Sequence, residues 1–433
     1  MLAGQLWCSA MAKLTIKDVN LGGKRVFVRV DYNVPMKEKD GRMVITDVTR
    51  ITATLPTLQA LLQQGAKLIL AAHLGRPKGK REPAMSLRPV AAKLQELLGR
   101  PVAFVDDCIG EQVQAAAAAL RPGEVLLLEN VRYYKEEEEY EESTPASVAF
   151  AGKLAAVAEA YVNDAFGTAH RAHGSTAGVP RVVAARGGPC VAGLLMEKEL
   201  RFLGDELQNP ARPFVVILGG AKVSDKIKVI SRLLEKADTL LIGGAMAYTF
   251  KLAEGVQVGR SLVEPDQTEV ALAALAAAKQ RGVKLLIPAD DVVATRVETG
   301  QVDKKGRPII EFRNPRVNAG DIATGEAGVD IGPATIKAYC AQIAPAKTIL
   351  WNGPMGMFED QRFAEGTFAI GRAVAEATQR RGAKSIIGGG DSVTALNQAG
   401  LGGQVTWMST GGGASLEFLE GQVLPGVAAL ADK

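Results

Sequence analysis

Short runs of apolar, β-branched residues recur along the chain, and each run ends abruptly in a polar or glycine-rich segment. Most runs precede stretches rich in Ala, Leu and Lys whose apolar positions repeat with helical period. This alternation predicts β-strands that alternate with α-helices. In the first half of the chain the predicted strands are Val26–Val30, Leu68–Ala72, Val125–Leu128 and Ala160–Val162. In the second half they are Phe214–Leu218, Thr239–Ile242, Lys284–Ile287, Thr348–Trp351, Ser385–Ile387 and Val405–Met408.

These runs are apolar almost without interruption and lack the alternation of a half-exposed strand. Strands that are buried on both faces of a parallel sheet have this pattern. With 433 residues the chain is also long for a single core, because cores tend to split beyond about 250–300 residues. We therefore predict an α/β protein with two doubly wound, Rossmann-like parallel-sheet domains.

A predicted helix separates the two sets of strands. Leu194–Leu207 has Leu, Met and Phe at helical spacing and ends before the stop signal Asn209-Pro210. We predict that residues 1–190 form an N-terminal domain, that 191–207 form an inter-domain helix and hinge, and that 208–413 form a C-terminal domain.

Charge and composition exclude several classes of protein. The 51 Lys and Arg residues nearly balance the 47 Asp and Glu residues, and the net charge of +4 does not indicate a nucleic-acid coat or a polybasic membrane anchor. The longest uncharged stretch, Ser392–Leu416, is interrupted by Gly, Asn, Gln, Ser and Thr, so no membrane span is expected. The four cysteines are far apart, which predicts neither a disulfide framework nor a zinc site and fits a reducing cytoplasm.

Two segments are expected to carry no function. The first ten residues contain no Lys or Arg and are too short for a secretion signal, so we expect a disordered extension ahead of a start at Met11. The glutamate-rich run Glu136–Glu142 is expected to be a solvated surface loop or helix start.

Arginines and histidines lie in the loops that follow the first-half strands, with Arg50 in the Asp47–Arg50 segment. Because ligands bind beyond the carboxyl ends of parallel strands, these residues are candidates for a site. Arginine recognises carboxylate and phosphate in a bidentate manner, so we predict a basic pocket for a small, multiply anionic metabolite. For any single arginine, the alternative to ligand binding is an ion pair with a surface carboxylate. Asp31 and Asn33 either bind a ligand hydroxyl or orient the guanidinium groups. The cationic residues and histidines are Arg50, His73, Arg76, Arg132, His170, Arg171 and His173.

Glycine takes the place of cationic side chains after the second-half strands. Gly219-Gly220-Ala221-Lys222 precedes a helix that is predicted to begin near Ser224, and main-chain N–H groups at such a turn bind phosphate. Lys222 and Lys226 are spaced by one helical turn, which predicts that both reach a polyphosphate. The alternative is that they are solvated residues at a helix start.

Two further glycine-rich turns follow strands in this half. Gly388–Asp391, followed by Ser392, offers amide donors for phosphate and a carboxylate for Mg²⁺. Gly411–Gly413 is either a third such turn or a flexible one. The sequence has no P-loop, no dinucleotide fingerprint and no nucleophile elbow. A cationic half beside a glycine-rich half therefore indicates a phosphotransferase whose two substrates bind to different domains.

Collinear segments along almost the whole chain from about Met11 resemble the phosphoglycerate kinase family. The matching segments are Arg29–Pro35, His73–Pro77, Leu128–Arg132, Tyr161–Ser175, Leu218–Ile227, Asp330–Pro333, Leu350–Glu359, Gly388–Ser392 and Ser409–Gly421. The resemblance implies transfer of the acyl phosphate of 1,3-bisphosphoglycerate to ADP, which gives 3-phosphoglycerate and ATP in glycolysis. It also implies Mg²⁺ on the nucleotide, a monomer, and a C-terminal segment, 414–433, that folds back on the N-terminal domain.

The resemblance also implies roles for individual residues, with Glu359 on the ribose and Asp391 near the metal. The implied phosphoglycerate site comprises Asp31, Tyr32, Asn33, Arg50, His73, Leu74, Gly75, Arg76, Arg132, His170 and Arg171. The implied nucleotide site comprises Gly220, Lys222, Lys226, Gly328, Asn352, Glu359, Gly389, Gly390, Asp391 and Ser392.

In-line phosphoryl transfer requires positioning and charge stabilisation and no covalent intermediate. We expect Arg50 and Lys222 to flank the transferring group, with amides near Gly389 and Gly412 assisting. Transfer between separate domains is expected to need closure about the Leu194–Leu207 helix.

One departure from the family pattern is Glu326-Ala327, where many members carry Trp-Met beside the presumed adenine pocket. Two other functions stay open. One is a phosphometabolite-binding protein without turnover, and the other is an acyl-phosphate kinase for a different carboxylate.

Overall fold

The structure is a computed structural model that describes residues 13–303 and 306–433. The predicted extension at residues 1–10 lies outside the described residues. The chain divides into two compact units, one that runs to Asp205 and includes Gly421–Lys433, and a second formed by Glu206–Glu420.

The first unit contains a six-stranded sheet in the order β5-β6-β4-β1-β7-β8, and every neighbouring pair in it is parallel. The hairpin β2-β3 lies outside this sheet. The strands of the first unit are β1 (Arg25–Val30), β2 (Met36–Lys39), β3 (Arg42–Ile45), β4 (Lys67–Ala71), β5 (Val102–Val105), β6 (Val125–Leu128), β7 (Ala160–Asp164) and β8 (Cys190–Ala192).

Helices connect successive strands of this sheet, as a doubly wound fold requires. The core between sheet and helices is built from strand residues such as Val28 and Leu70 and from helix residues such as Leu58 and Val90, all fully buried. The helices are α1 (Thr49–Gln63), α2 (Arg88–Leu98), α3 (Glu111–Ala119), α4 (Pro145–Ala155), α5 (Val179–Ala185) and α6 (Leu194–Leu200).

The second unit contains a six-stranded parallel sheet, in the order β11-β10-β9-β15-β16-β17, and a separate antiparallel sheet, β13-β12-β14. Trp351, fully buried, is the largest side chain of its core. The strands are β9 (Phe214–Leu218), β10 (Thr239–Ile242), β11 (Lys284–Leu286), β12 (Asp290–Val302), β13 (Pro308–Ala319), β14 (Glu326–Ile331), β15 (Thr348–Asn352), β16 (Lys384–Gly388) and β17 (Trp407–Met408).

The helices of the second unit vary in length from a single turn to the long helix that follows β15. They are α7 (Glu206–Gln208), α8 (Ile227–Leu233), α9 (Met246–Ala253), α10 (Thr268–Arg281), α11 (Pro333–Ile343), α12 (Glu365–Arg381), α13 (Gly390–Gln398) and α14 (Gly413–Leu419). One more short helix, α15 (Pro425–Ala428), belongs to the first unit.

The predicted helix Leu194–Leu207 is interrupted. The α-helix α6 ends at Leu200, a wider π-type turn follows over Arg201–Asp205, and α7 begins at Glu206. The buried carboxylate of Asp164 accepts hydrogen bonds from the main-chain N–H groups of Leu195 and Met196, 2.9 Å and 3.2 Å away, and so satisfies the start of α6.

The division into units differs from the predicted domain boundaries at two places. Residues 191–205 group with the first unit, and residues 414–420 group with the second. The fold class is confirmed, because each unit has a parallel sheet with helical connections, and each predicted strand run overlaps an observed strand.

Candidate active site

The loops after β1 and β4 are joined by side-chain hydrogen bonds at the carboxyl edge of the first sheet. Asn33 Oδ1 accepts a hydrogen bond from the main-chain N–H of Gly75, 2.9 Å away. Asp31 forms a short ion pair with Arg50, which lies in the first turn of α1. Asp31 is thus placed to orient the Arg50 guanidinium, one of the two roles considered from the sequence.

Gly75 has a geometric reason to be glycine. Its φ of +64° lies in the left-handed region, and a Cβ atom there would stand 2.7 Å from the sulfur of Met85. Its carbonyl accepts a hydrogen bond from Arg132, 2.9 Å away, so the sharp turn brings this arginine to the loop that carries His73.

Arg132 is held from two sides. Its side chain is only 7% exposed, and its Nε atom lies 3.1 Å from a carboxylate oxygen of Glu138 without hydrogen-bond alignment. Its main-chain N–H donates to Asn130 Oδ1 in the turn after β6. These contacts give a largely buried guanidinium a fixed position.

The three histidines of the chain carry little positive charge near neutral pH. Burial lowers the pKa of His73 well below its ordinary value, and Arg29 and Arg132 lower it further. Burial and the same two arginines lower the pKa of His173 to about 3, and burial with Arg171 lowers that of His170. The positive charge of the pocket therefore comes from its arginines.

The predicted residues of the first unit fall into two groups. Arg132 donates to the carbonyl oxygen of Gly75 in the loop of His73, and the Nε atom of Arg171 lies 3.1 Å from His170 Nε2. Arg50 pairs with Asp31 and lowers the pKa of His73, as Arg132 does. Arg76 is exposed in the same loop as His73, and in residues 13–303 and 306–433 no side chain pairs with it.

Tyr32 and Leu74 differ from the expectation for a substrate site, because their side chains lie in the hydrophobic core. The Tyr32 hydroxyl is 3.0 Å from Thr54 Oγ1, and burial raises the pKa of Tyr32 well above its ordinary value. Only the main chain of these two residues remains for a ligand.

The expectation of a solvated glutamate run is wrong for Glu137. This residue is fully buried, and its carboxylate accepts hydrogen bonds from the main-chain N–H and the hydroxyl of Ser175. Its Oε1 atom also lies 3.9 Å from His173 Nδ1. The 3-10 turn Lys135–Glu137 brings this one member of the run into the protein.

The second unit has a cavity of about 670 Å³ beside the carboxyl ends of its strands, a volume typical of sites for small molecules. Apolar side chains, among them Tyr248, Leu262, Phe312 and Met355, form much of its wall and were not predicted from the sequence. The predicted residues that line it are Gly220, Gly328, Glu359 and Asp391. An apolar wall with polar groups at one end suits a flat base joined to a phosphate chain.

Gly328 is the glycine that shapes this wall. A Cβ atom at this position would stand 1.9 Å from the hydroxyl of Tyr248, so any other residue would displace that ring. The pair Glu326-Ala327, where the sequence departs from the family pattern, directly precedes Gly328. Ala327 lines the cavity, and Glu326 forms an ion pair with Arg316.

The prediction that Lys222 and Lys226 are spaced by one helical turn is wrong. Helix α8 begins at Ile227, because Ser224 bonds to Glu264 through both its main-chain N–H and its hydroxyl and the chain makes a turn before the helix. Lys222 is exposed, whereas Lys226 is buried. The two lysines therefore act in different environments.

Lys226 and Asn352 form a buried polar pair. The Lys226 ammonium donates to the carbonyl oxygen of Asn352, 3.1 Å away, and to the Oδ1 atom of its side chain. Burial lowers the pKa of Lys226 to about 8, although Asp225 and Asp391 oppose the shift. The Asn352 Nδ2 group is buried and has no hydrogen-bond partner in the described part of the chain.

The turn between β16 and α13 leaves main-chain amides at a helix start. Gly389 has a φ of +83°, and Gly390 begins α13. Ser392 is fully buried and its hydroxyl accepts a hydrogen bond from the N–H of Gly353 at 2.6 Å. Gly412, with a φ of +54°, directly precedes α14.

Asp391 is the candidate metal residue. It is an exposed carboxylate in the first turn of α13 and lines the cavity. The described residues contain no group of three or more His, Cys, Asp or Glu side chains that would enclose a metal ion. A single carboxylate fits Mg²⁺ that takes most of its ligands from phosphates and water.

A sequence profile of the family described as phosphoglycerate kinase matches residues 16–422. The chain belongs to the phosphoglycerate kinase family. The phosphoglycerate kinase of Chlorobium phaeovibrioides is 51% identical over 422 residues, which span 98% of this chain and 100% of that protein. That of Moorella thermoacetica is 52% identical over 423 residues, with 98% and 100% covered.

Solved structures agree with this membership. The phosphoglycerate kinase from Coxiella burnetii matches with a TM-score of 0.81 at 38% identity, over 96% of this chain and 98% of that one. The enzyme from Pyrococcus horikoshii matches with a TM-score of 0.77 at 33% identity, with the same coverage. These findings confirm the predicted family and the predicted enzyme class, which is that of the phosphotransferases. They also confirm the phosphoglycerate kinase function in glycolysis.

None of the helices in the described part of the chain is long and apolar enough to cross a membrane.

Proposed function

We propose that the two units of this phosphoglycerate kinase divide the substrates between them. The basic pocket of the first unit binds 3-phosphoglycerate or 1,3-bisphosphoglycerate, and the cavity of the second unit binds ADP or ATP. The observation that carries the proposal is the set of three arginines, Arg50, Arg132 and Arg171, which converge around neutral histidines. A ligand with a carboxylate and a phosphate supplies the negative charge that these guanidinium groups match.

The nucleotide assignment is supported by the chemistry of the second cavity. Its apolar wall accommodates a base, Glu359 offers a carboxylate for ribose hydroxyls, and Lys226 with the unpartnered Nδ2 group of Asn352 offers donors for phosphate. Gly220, Gly389, Gly390 and Ser392 belong to the strand-end turns that would complete the phosphate site.

In-line transfer needs no covalent intermediate, so the chain's residues act by position and charge. Arg50, oriented by Asp31, and the exposed Lys222 are the cations that we assign to the transferring phosphoryl group. The main-chain amides near Gly389 and Gly412 add neutral donors. Asp391 would hold Mg²⁺ together with the nucleotide phosphates, and the ion would supply further neutralisation of the phosphate charge.

A coupled spectrophotometric assay of 3-phosphoglycerate phosphorylation by Mg-ATP tests this mechanism. We expect Lys222→Ala to lower kcat by roughly 100–1000-fold with the fold intact, which is the usual effect of removing one electrostatic donor. Lys228→Ala is the matched control, because Lys228 is an exposed lysine six residues further along the chain. A Lys222→Ala enzyme with near wild-type turnover would remove this lysine from the mechanism.

The same assay separates the proposed function from its alternative. Wild-type protein that binds 3-phosphoglycerate but shows no turnover would be a phosphometabolite-binding protein. Phosphorylation of another carboxylate in preference to 3-phosphoglycerate would indicate a different acyl-phosphate kinase.

We also propose that the enzyme is a cytoplasmic monomer that binds neither nucleic acid nor membranes. The nearly balanced charge and the widely spaced cysteines support this assignment. Light scattering coupled to gel filtration should give the monomer mass of 45.6 kDa. A mass near twice this value would show a dimer instead.

A further inference from the structure

A buried chain of hydrogen bonds leads from the glutamate run to the basic pocket. At one end, Glu137 Oε2 accepts from the main-chain N–H of Ser175 at 2.8 Å, and Oε1 accepts from the Ser175 hydroxyl at 2.6 Å. Both residues are fully buried. Because a carboxylate only accepts, the Ser175 hydroxyl proton points toward Glu137.

The next step of the chain is Arg29. Its Nε–H donates to the hydroxyl oxygen of Ser175, 2.8 Å away. This oxygen is free to accept because the hydroxyl proton is already donated to Glu137. Arg29 is also fully buried, and one of its terminal nitrogens donates to the carbonyl oxygen of Val30. The guanidinium group thus has its orientation fixed by partners on two sides.

The other terminal nitrogen of Arg29 reaches His73. It lies 3.1 Å from His73 Nδ1, and a guanidinium group has no lone pair to offer. Nδ1 is therefore the acceptor of this hydrogen bond. Since burial and Arg29 lower the pKa of His73 and keep the ring neutral, its single proton is on Nε2.

We propose that Glu137 is a positioning residue that acts through Ser175 and Arg29 to hold His73 as the Nε2–H tautomer. The inference rests on the proposed function of the basic pocket. An Nε2–H group is a neutral donor for a carboxylate or phosphate oxygen, whereas the other tautomer would present a lone pair to an anion and weaken its binding. Burial raises the pKa of Glu137, and Arg29, the hydrogen bonds from Ser175, and Arg132 oppose this shift, so the carboxyl group interacts electrostatically with both guanidinium groups.

The first test is to determine the tautomer of His73 in the wild-type enzyme. The chain has only three histidines, so long-range proton–nitrogen correlation spectra of histidine-labelled protein resolve each ring, and single His→Gln variants assign them. We expect His73 to carry its proton on Nε2 with an unprotonated Nδ1. A proton on Nδ1, or a charged ring at pH 7, would overturn the proposal without any variant of Glu137.

Two variants then test whether the chain of hydrogen bonds from Glu137 determines the tautomer of His73. In Glu137→Gln and Ser175→Ala we expect a mixture of His73 tautomers and a KM for 3-phosphoglycerate that rises about tenfold, with the KM for ATP within about twofold of wild type. Glu139→Gln is the matched control, because Glu139 is an exposed member of the same run. It should leave the spectra and both KM values unchanged.

The outcomes separate positioning from a purely structural role. Folded variants that lower only the melting temperature, and keep the wild-type tautomer and KM, contradict the proposal. Wild-type protein without turnover would contradict the proposed function instead, and the histidine spectra would still decide whether Glu137 sets the tautomer.

Discussion

At the scale of single residues, burial changes the chemistry of groups that look ordinary in the sequence. Lys226 is 8% exposed and donates to Asn352, and burial brings its pKa from an ordinary 10.5 to about 8. Lys222, four positions earlier, is exposed. Two lysines of one motif therefore lie in different environments, one buried and one in solvent.

The lowered pKa of Lys226 predicts a pH dependence. Above about pH 8 the free enzyme loses this cation, so kcat/KM for Mg-ATP should fall as pH rises through 8 and not only near 10.5. The control is kcat/KM for 3-phosphoglycerate at saturating Mg-ATP, where the bound polyphosphate keeps Lys226 protonated. A flat kcat/KM profile for Mg-ATP between pH 7 and 9.5 would contradict the assignment of Lys226 to the nucleotide site.

Residue types were easier to predict than residue environments. The cations after β4, β6 and β7 were predicted from where those strands end, whereas Arg50 lies in the first turn of α1. The inward turn of Glu137 and the core positions of Tyr32 and Leu74 did not follow, because burial depends on the direction of each side chain within a short turn. Six glutamates in one run give no local signal for the one that faces inward.

At the scale of secondary-structure elements, sharp turns after strands determine where the functional groups lie. The turn at Gly75 joins the loops after β1, β4 and β6 through its N–H bond to Asn33 and its carbonyl bond from Arg132. Changes in this turn should therefore affect the basic pocket as well as stability.

Gly75→Ala and Gly99→Ala form a matched pair for this prediction. The two glycines have φ values of +64° and +68°, but a Cβ at Gly75 would meet Met85, whereas no atom lies within 4 Å of one at Gly99. Both substitutions should lower the free energy of unfolding by about 1–2 kcal/mol. Only Gly75→Ala should also raise the KM for 3-phosphoglycerate, and equal KM values for the two variants would contradict the role of this turn.

The elements that the sequence analysis did not predict are edge strands and antiparallel strands. Strands β5 and β8 are short and lie at the two edges of the first sheet, where the apolar run is weakest. Strands β12 and β13 are long but mostly exposed toward their connecting turn, so they lack the continuous apolar pattern that marked the buried strands.

At the scale of the whole molecule, the C-terminal segment returns to the first unit. The buried Lys13 ammonium donates to the carbonyl of Leu430 at 2.9 Å and pairs with Asp432, and Asn163 donates to Gly426. The resemblance implied a returning segment from residue 414, whereas the observed division begins at Gly421. The residues before it form α14, which packs on α8 in the second unit.

Packing of this segment predicts a difference between two aliphatic residues. Leu430 is 3% exposed, so Leu430→Ala should lower the free energy of unfolding by about 2–5 kcal/mol. Val423, in the same segment, is 49% exposed, and Val423→Ala should change it by less than about 0.5 kcal/mol. Thermal unfolding followed by circular dichroism measures both, and equal melting temperatures would show that the segment contributes little to the first unit.

The central claim is that each unit binds one substrate, and calorimetric titration of both ligands into two single variants tests it most directly. Arg171→Ala, an exposed change in the first unit, should weaken 3-phosphoglycerate about tenfold and leave Mg-ADP unchanged. Glu359→Ala, an exposed change at the cavity of the second unit, should weaken Mg-ADP about tenfold and leave 3-phosphoglycerate unchanged. The claim would be contradicted if either variant weakened the binding of both ligands to the same degree. It would also be contradicted if a variant weakened the binding of the ligand that is assigned to the other unit.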